Sequence, residues 1–195
     1  RHGPRQPAPA DQLALLSKLV ARWVARDITA TIYVIGGAAA GIAYYPHDVE
    51  RRASSDIDTI FRPKDIVGEE AAALAAEFGL RENWFNGSAG AFVPPTGPPA
   101  GDVLIERGKV TVTIAPPTFL LAMKLRACRA GRDDEDIAVL VRLCGITTIG
   151  ECEALVDEVY LGEEEIPERG YPLLQKVLGT YALERAKPPT TLPPA

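Results

Sequence analysis

The sequence predicts an α+β fold in which a mixed front half is followed by a helical back half. Three observations carry that expectation. Short, β-branched apolar runs in the front half stop at glycine-bearing turns, which is strand behaviour. After Pro116-Pro117 the apolar residues recur at helical spacing instead. The composition, 195 residues with 47% hydrophobic and 24% charged, belongs to a globular chain with room for one solid core.

In chain order, a helix is expected from Asp11, which can cap it, with Leu13, Leu16, Val20, Trp23 and Val24 on one face. Residues 32–35 read as a buried strand that ends in a tight turn at Gly36-Gly37, and residues 38–45 as a helix of small side chains. A second strand covers 57–61, with Asp56 and Asp58 at its start. Residues 69–78 make an alanine-rich helix stopped by Gly79. Residues 102–106 and 110–114 pair as a hairpin around Arg107-Gly108-Lys109. Thr118 can cap a helix reaching about residue 129, and further helices follow over 134–144, 149–160 and 170–186. The domain reading is a core over 11–117 with a helical part over 118–187 packed on it as one compact unit. The Pro-rich ends, 1–10 and 188–195, read as flexible tails.

Charge and cysteine usage narrow the function classes. The net charge of −5 divides unevenly: residues 1–132 hold 16 Lys and Arg against 13 Asp and Glu, and residues 133–195 hold 5 against 13. A uniformly basic nucleic-acid binder is excluded, whereas an anionic ligand on the front two-thirds is expected. No apolar stretch reaches the roughly 20 residues of a membrane span, and residues 1–10 have no apolar core of the signal-peptide kind. Cys128, Cys144 and Cys152 lack CxxC spacing, which argues against a disulfide scaffold or zinc site and for a reducing cytoplasm, with each thiol a small buried hydrophobe. Trp23 and Trp84 read as packing residues, and His47 gets no role.

Three features carry chemistry. Gly36 and Gly37, between a strand and a helix, permit φ > 0 and let backbone N–H groups approach a phosphate. Asp56 and Asp58 point to one face of their strand while Ile57 points to the other. Two readings stand for that pair: a solvated strand end, or oxygen ligands for Mg²⁺, which the preceding Gly-Gly turn favours. Lys124 has Leu120, Leu121, Ala127 and Cys128 as its helical neighbours, with Arg126 and Arg129 opposite, so its ammonium needs an anion. Asp136 lies on the apolar side of the next helix, beside Leu140 and Leu143. Either Lys124 and Asp136 form a buried pair that pins two helices, or Asp136 holds a lysine aimed at nucleotide phosphate.

Residues 35–39 (Ile-Gly-Gly-Ala-Ala), residues 52–58 (Arg-Ala-Ser-Ser-Asp-Ile-Asp), residues 120–127 (Leu-Leu-Ala-Met-Lys-Leu-Arg-Ala), and Arg132-Asp133 with Asp136-Ile137 carry a family pattern. In that order, over roughly residues 30–145, the chain resembles the AbiEii-type nucleotidyltransferase toxins, the MenT toxins among them. The resemblance implies a DNA-polymerase-beta-like nucleotidyltransferase core with a helical C-terminal half. It also implies Mg²⁺-dependent transfer of a nucleotide from an NTP to an RNA acceptor, the 3′ end of tRNA, within a toxin–antitoxin or phage-defence pair. Under it Gly36 and Gly37 match the phosphate-binding turn, with Arg52 and Ser55 in the nucleotide-binding set. Asp56 and Asp58 match the metal-binding acids, Lys124 the lysine on the triphosphate, and Asp136, with Asp133 near it, the acids of the last motif. Arg51, Arg52, Arg62 and Lys64 are expected to guide the RNA backbone. The implied partners are an NTP, tRNA and a cognate antitoxin protein. Two departures support the alternative of a catalytically degenerate fold that binds nucleotide or a partner protein. Ala38 stands where the family places Ser or Thr, and the hairpin strand offers Thr111 and Thr113 where many relatives carry a third carboxylate.

Overall fold

The computed structural model describes residues 9–44 and 56–186. The chain divides into two compact units, residues 1–120 and 121–195. Its class is α+β: among the described residues there are seven α-helices and one five-stranded mixed sheet.

In the first unit, α1 (Pro9–Ala25) contributes Leu16, Leu19, Val20 and Trp23, all buried. Asp11 lies inside its first turn and not at its cap, because the helix starts two residues earlier than the apolar stripe suggests. Strand β1 (Ala30–Ile35) leads directly into α2 (Gly36–Tyr44), so the two glycines open the helix and do not form a separate turn before it. Strand β2 (Ile57–Arg62) precedes α3 (Lys64–Phe78), which begins at Pro63 and ends on left-handed Gly79. The short β3 (Phe85–Asn86) and a 3-10 turn over Ser88–Phe92 follow. The expected hairpin is present as β4 (Asp102–Arg107) and β5 (Val110–Ile114).

The strand order is β3-β2-β1-β5-β4, with β1 antiparallel to β2 and parallel to β5, and β2 parallel to β3. Directly paired residues share a face, so the register sorts the sheet into two sides. Ala30, Ile32, Val34, Ile57, Thr59, Val110, Val112 and Ile114 make one side, and all are buried. Phe61 and Phe85 extend that side into an aromatic cluster with Trp23 and Trp84. Trp84 is a packing residue, as expected: it is buried and its Nε1 donates to the Ala71 carbonyl of α3 at 2.9 Å. The other side carries Thr31, Tyr33, Asp58, Ile60, Arg62, Thr111 and Thr113, each exposed or half-buried, together with Ile35, which is paired with Asp58 and buried.

The second unit is helical. Helix α4 (Pro117–Ala127), where the division falls, is followed by α5 (Asp134–Cys144), α6 (Ile149–Tyr160) and α7 (Tyr171–Ala186), with α7 in contact with both α5 and α6. Thr118 sits within the first turn of α4 and does not cap it. The start of α6 is closed reciprocally by a capping box, with Glu151 N–H donating to Thr148 Oγ1 and Thr148 N–H donating to the Glu151 carboxylate. Leu143, expected on the apolar side of α5, is exposed. Cys128 and Cys152 are buried thiols, while Cys144 is only half-buried. Among the described residues no helix is long and apolar enough to cross a membrane.

Candidate functional site

The first polar locus lies where β1 ends, β2 begins and α2 starts. Asp58 pairs with Ile35 on one side and with Asn86 on the other. Ile57 is buried and Asp58, next to it in β2, is half-buried on the opposite face, while Asp56 lies in a bend just before the strand. Asp56 accepts a hydrogen bond from Asn86 Nδ2 at 3.1 Å. Gly36 has φ +73°, a left-handed conformation that L side chains rarely adopt. A Cβ built on Gly36 would stand 2.7 Å from Asp58 Oδ2 and 3.2 Å from Asp58 Cβ, so the Asp58 carboxylate lies directly against the glycine that opens α2. The first turn of α2 has no acidic residue of its own, so Asp58 is the anionic group brought to the opening of that helix. The glycine is therefore required twice, for its backbone angle and for the space it leaves. Gly36→Ala is expected to destabilise the protein by about 1–2 kcal/mol from the backbone alone, and to displace Asp58 as well. Thermal melts read the first effect and the nucleotide titration described below reads the second.

Gly37 is the second residue of α2 and half-buried, and Ala38 behind it is buried in the same turn. Arg52 and Ser55, as well as Arg51 and His47, lie outside the described residues. Thr111 and Thr113 are on β5, separated from β2 by the whole of β1. The residue beside Asp58 on the adjacent strand is Asn86. Arg62 pairs with Thr31, at the end of β2 opposite Asp58. With Lys64, Thr29 and Thr31 it lines a shallow open depression of about 410 Å³. At strand rise that is roughly 13 Å from the acidic pair.

The second locus is in the second unit. Lys124 is buried, as its helical neighbours require, and its Nζ is 2.7 Å from Asp136 Oδ2 and 2.8 Å from Asp133 Oδ1. The expected Lys124–Asp136 pair is thus joined by a second acid, fully buried Asp133. Asp133 also accepts from Arg129 through the backbone N–H at 3.0 Å, Nε at 2.9 Å and Nη2 at 3.0 Å. The helical wheel places Arg129 on the far side from Lys124, and that placement fails for a definite reason. Helix α4 stops at Ala127 and Cys128 takes φ +36°, so the chain reverses and carries Arg129 back to Asp133. Asp133 stands at the cap position of α5 yet makes no side-chain cap, because its carboxylate is turned to the two cations. Arg126 does face away, pairing with Glu164 at 2.5 Å and lying 5.3 Å from the centre of the Tyr160 ring.

Burial alone would raise the Asp133 carboxyl. The hydrogen bonds from Arg129, then the charge and hydrogen bond of Lys124, outweigh it and hold the group down at about 2. Because the folded value lies below the ordinary 3.8, the stabilisation is present above about pH 4 and is lost as pH falls toward 2. The difference corresponds to about 2 kcal/mol. Denaturant titrations from pH 6 to pH 2 are expected to show this acid-side slope in the wild type and to lose most of it in Asp133→Asn.

Hard oxygen ligands suit Mg²⁺ or Mn²⁺; Asp58 lies against Gly36 at the opening of α2, and Asp56, bonded to Asn86 beside Asp58, is a second carboxylate. Among the described residues no group of three or more His, Cys, Asp or Glu side chains is arranged to hold a metal ion. Two carboxylates among the described residues make a partial oxygen donor set for such a cation. Comparison of the chain with protein-family models, curated proteins and solved structures returned no match.

Proposed function

We propose that the chain is a nucleotidyltransferase of the DNA-polymerase-beta-like kind, acting on an RNA acceptor with the toxin-like role that the AbiEii resemblance implies. One observation carries this reading: the Asp58 carboxylate lies against Gly36 at the opening of α2, and Asn86, the strand partner of Asp58, donates to Asp56. Anion-favouring amides and a divalent-ion ligand set thus meet at one point, which is what a nucleoside triphosphate and its cation require. Asp56 and Asp58 would hold Mg²⁺, which when bound neutralises triphosphate charge and polarises the α-phosphate. The amides of Gly36 and Gly37 would orient the phosphates for in-line attack. The 3′-hydroxyl oxygen of the acceptor bonds to the α-phosphorus, the bond from that phosphorus to the bridging oxygen breaks, and pyrophosphate leaves. The hydroxyl proton passes to solvent. Under the same reading Lys124, oriented by Asp136, is the lysine assigned to the triphosphate. tRNA and a cognate antitoxin are the proposed macromolecular partners, in the cytoplasm.

Ala38 favours a second reading, a degenerate fold that binds nucleotide without transferring it, since no hydroxyl follows the glycines. Incubation with each of the four α-labelled NTPs, Mg²⁺ and total tRNA separates the two. Label retained on RNA supports transfer, and NTP binding without labelling supports the degenerate fold. Neither binding nor labelling removes both.

A further inference from the structure

Asn86 was not among the residues that the sequence marks for chemistry, yet it occupies the strand position beside Asp58 and reaches Asp56. Its backbone is fixed by β3 pairing to β2 and by Thr59 Oγ1, which donates to the Asn86 carbonyl at 3.1 Å. Its carboxamide has three partners. Nδ2 donates to Asp56 Oδ2 and to the Asn83 carbonyl, each at 3.1 Å, and Oδ1 accepts the Ser88 N–H at 2.8 Å. These partners settle which end is which. A backbone N–H can only donate, so Ser88 must face oxygen, and a carbonyl can only accept, so Asn83 must face nitrogen. Rotating the amide by half a turn would break both bonds. The end that faces Asp56 is therefore a donor and cannot ligate a cation.

We propose that Asn86 is a positioning residue for the Asp56/Asp58 site: tethered by the Asn83–Ser88 turn, its amide N–H engages one Asp56 oxygen and fixes how that carboxylate is presented to a divalent cation. This rests on the reading of Asp56 and Asp58 as cation ligands. An uncharged donor at this place also lies beside Asp58 and bonds Asp56 without adding a third like charge. A hydrogen-bonded neighbour of a metal ligand commonly sets affinity through the ligand's orientation, by 10- to 100-fold.

The test uses the full chain and Mn²⁺ as the probe, followed by its paramagnetic resonance signal with and without a non-hydrolysable triphosphate analogue, beside thermal melts. Asn86→Ala is expected to weaken Mn²⁺ binding by about tenfold or more, whereas a purely structural residue would lower the melting temperature and leave Mn²⁺ affinity unchanged. If the alanine variant does not fold, Asn86→Asp keeps the side chain's size and carries the same test. An anionic oxygen in place of the donor is expected to shift Mn²⁺ affinity by about tenfold and to make the melting temperature more dependent on Mn²⁺ than in the wild type. Wild-type Mn²⁺ affinity in these variants, while Asp58→Asn loses binding, overturns the role of Asn86 and leaves the acidic pair intact. If the wild type binds no Mn²⁺ even with the analogue, the reading of the pair fails and takes this proposal with it.

Discussion

Asp58→Asn is expected to abolish nucleotide transfer while leaving the fold in place. Replacing a carboxylate by an amide of the same shape removes one anionic ligand and weakens the charge stabilisation that a divalent ion gives a transferring phosphoryl group. That stabilisation amounts to several kcal/mol, so a loss of roughly a thousandfold in rate or more is anticipated. The fold has little reason to suffer. Asp58 is half-buried on the open face of the sheet, its backbone pairing with Ile35 and Asn86 is untouched by the change, and a like-charge neighbour of Asp56 is removed. Transfer of label from α-labelled NTPs, read beside a thermal melt, measures both effects at once. Wild-type transfer in a folded Asp58→Asn protein would place the catalytic cation elsewhere.

Lys124→Met carries the largest expected effect on stability, a loss of about 3–5 kcal/mol. Of the two readings of Lys124, the buried pair is the one that implies a large loss, because this one ammonium contacts two acids. Asp136 and fully buried Asp133 both lie within 2.8 Å of Lys124 Nζ, and Asp133 has no access to water. Methionine fills the volume but takes the ammonium away from both carboxylates, leaving Asp133 with the hydrogen bonds from Arg129. The double variant Lys124→Met with Asp136→Asn should recover part of the loss, since the two residues are in direct contact. Denaturant melts of the single and double variants check this, and an unchanged melting midpoint in Lys124→Met would contradict it. NTP titrations on the same proteins read any nucleotide role of Lys124 separately.

What was legible in the sequence follows the strength of each local signal. The Ile149–Tyr160 and Asp134–Cys144 helices are bounded by strong start and stop chemistry, Thr148 with Glu151 and left-handed Gly145, and their limits match the expectation. Strand alternation put Asp58 on the face opposite buried Ile57, whereas Asp56 lies in a bend outside β2, where a period of two does not apply. The apolar neighbours of Lys124 similarly announced its burial. Two things lay beyond such reasoning. A two-residue strand has no periodicity, so Phe85–Asn86 and its adjacency to Asp58 could not be seen. The return of Arg129 depends on a single left-handed residue, Cys128, and a non-glycine in that conformation leaves no mark in the sequence.

The central claim is that nucleotide and cation meet at the junction of β1, β2 and α2. It is tested most directly by paramagnetic broadening of backbone amide resonances when Mn²⁺ and a non-hydrolysable triphosphate are added together. The account predicts broadening centred on Gly36, Gly37, Ile57, Asp58 and Asn86, and its loss in Asp58→Asn. Broadening centred instead on the acidic run Glu163-Glu164-Glu165, or the same pattern in Asp58→Asn as in the wild type, would contradict it.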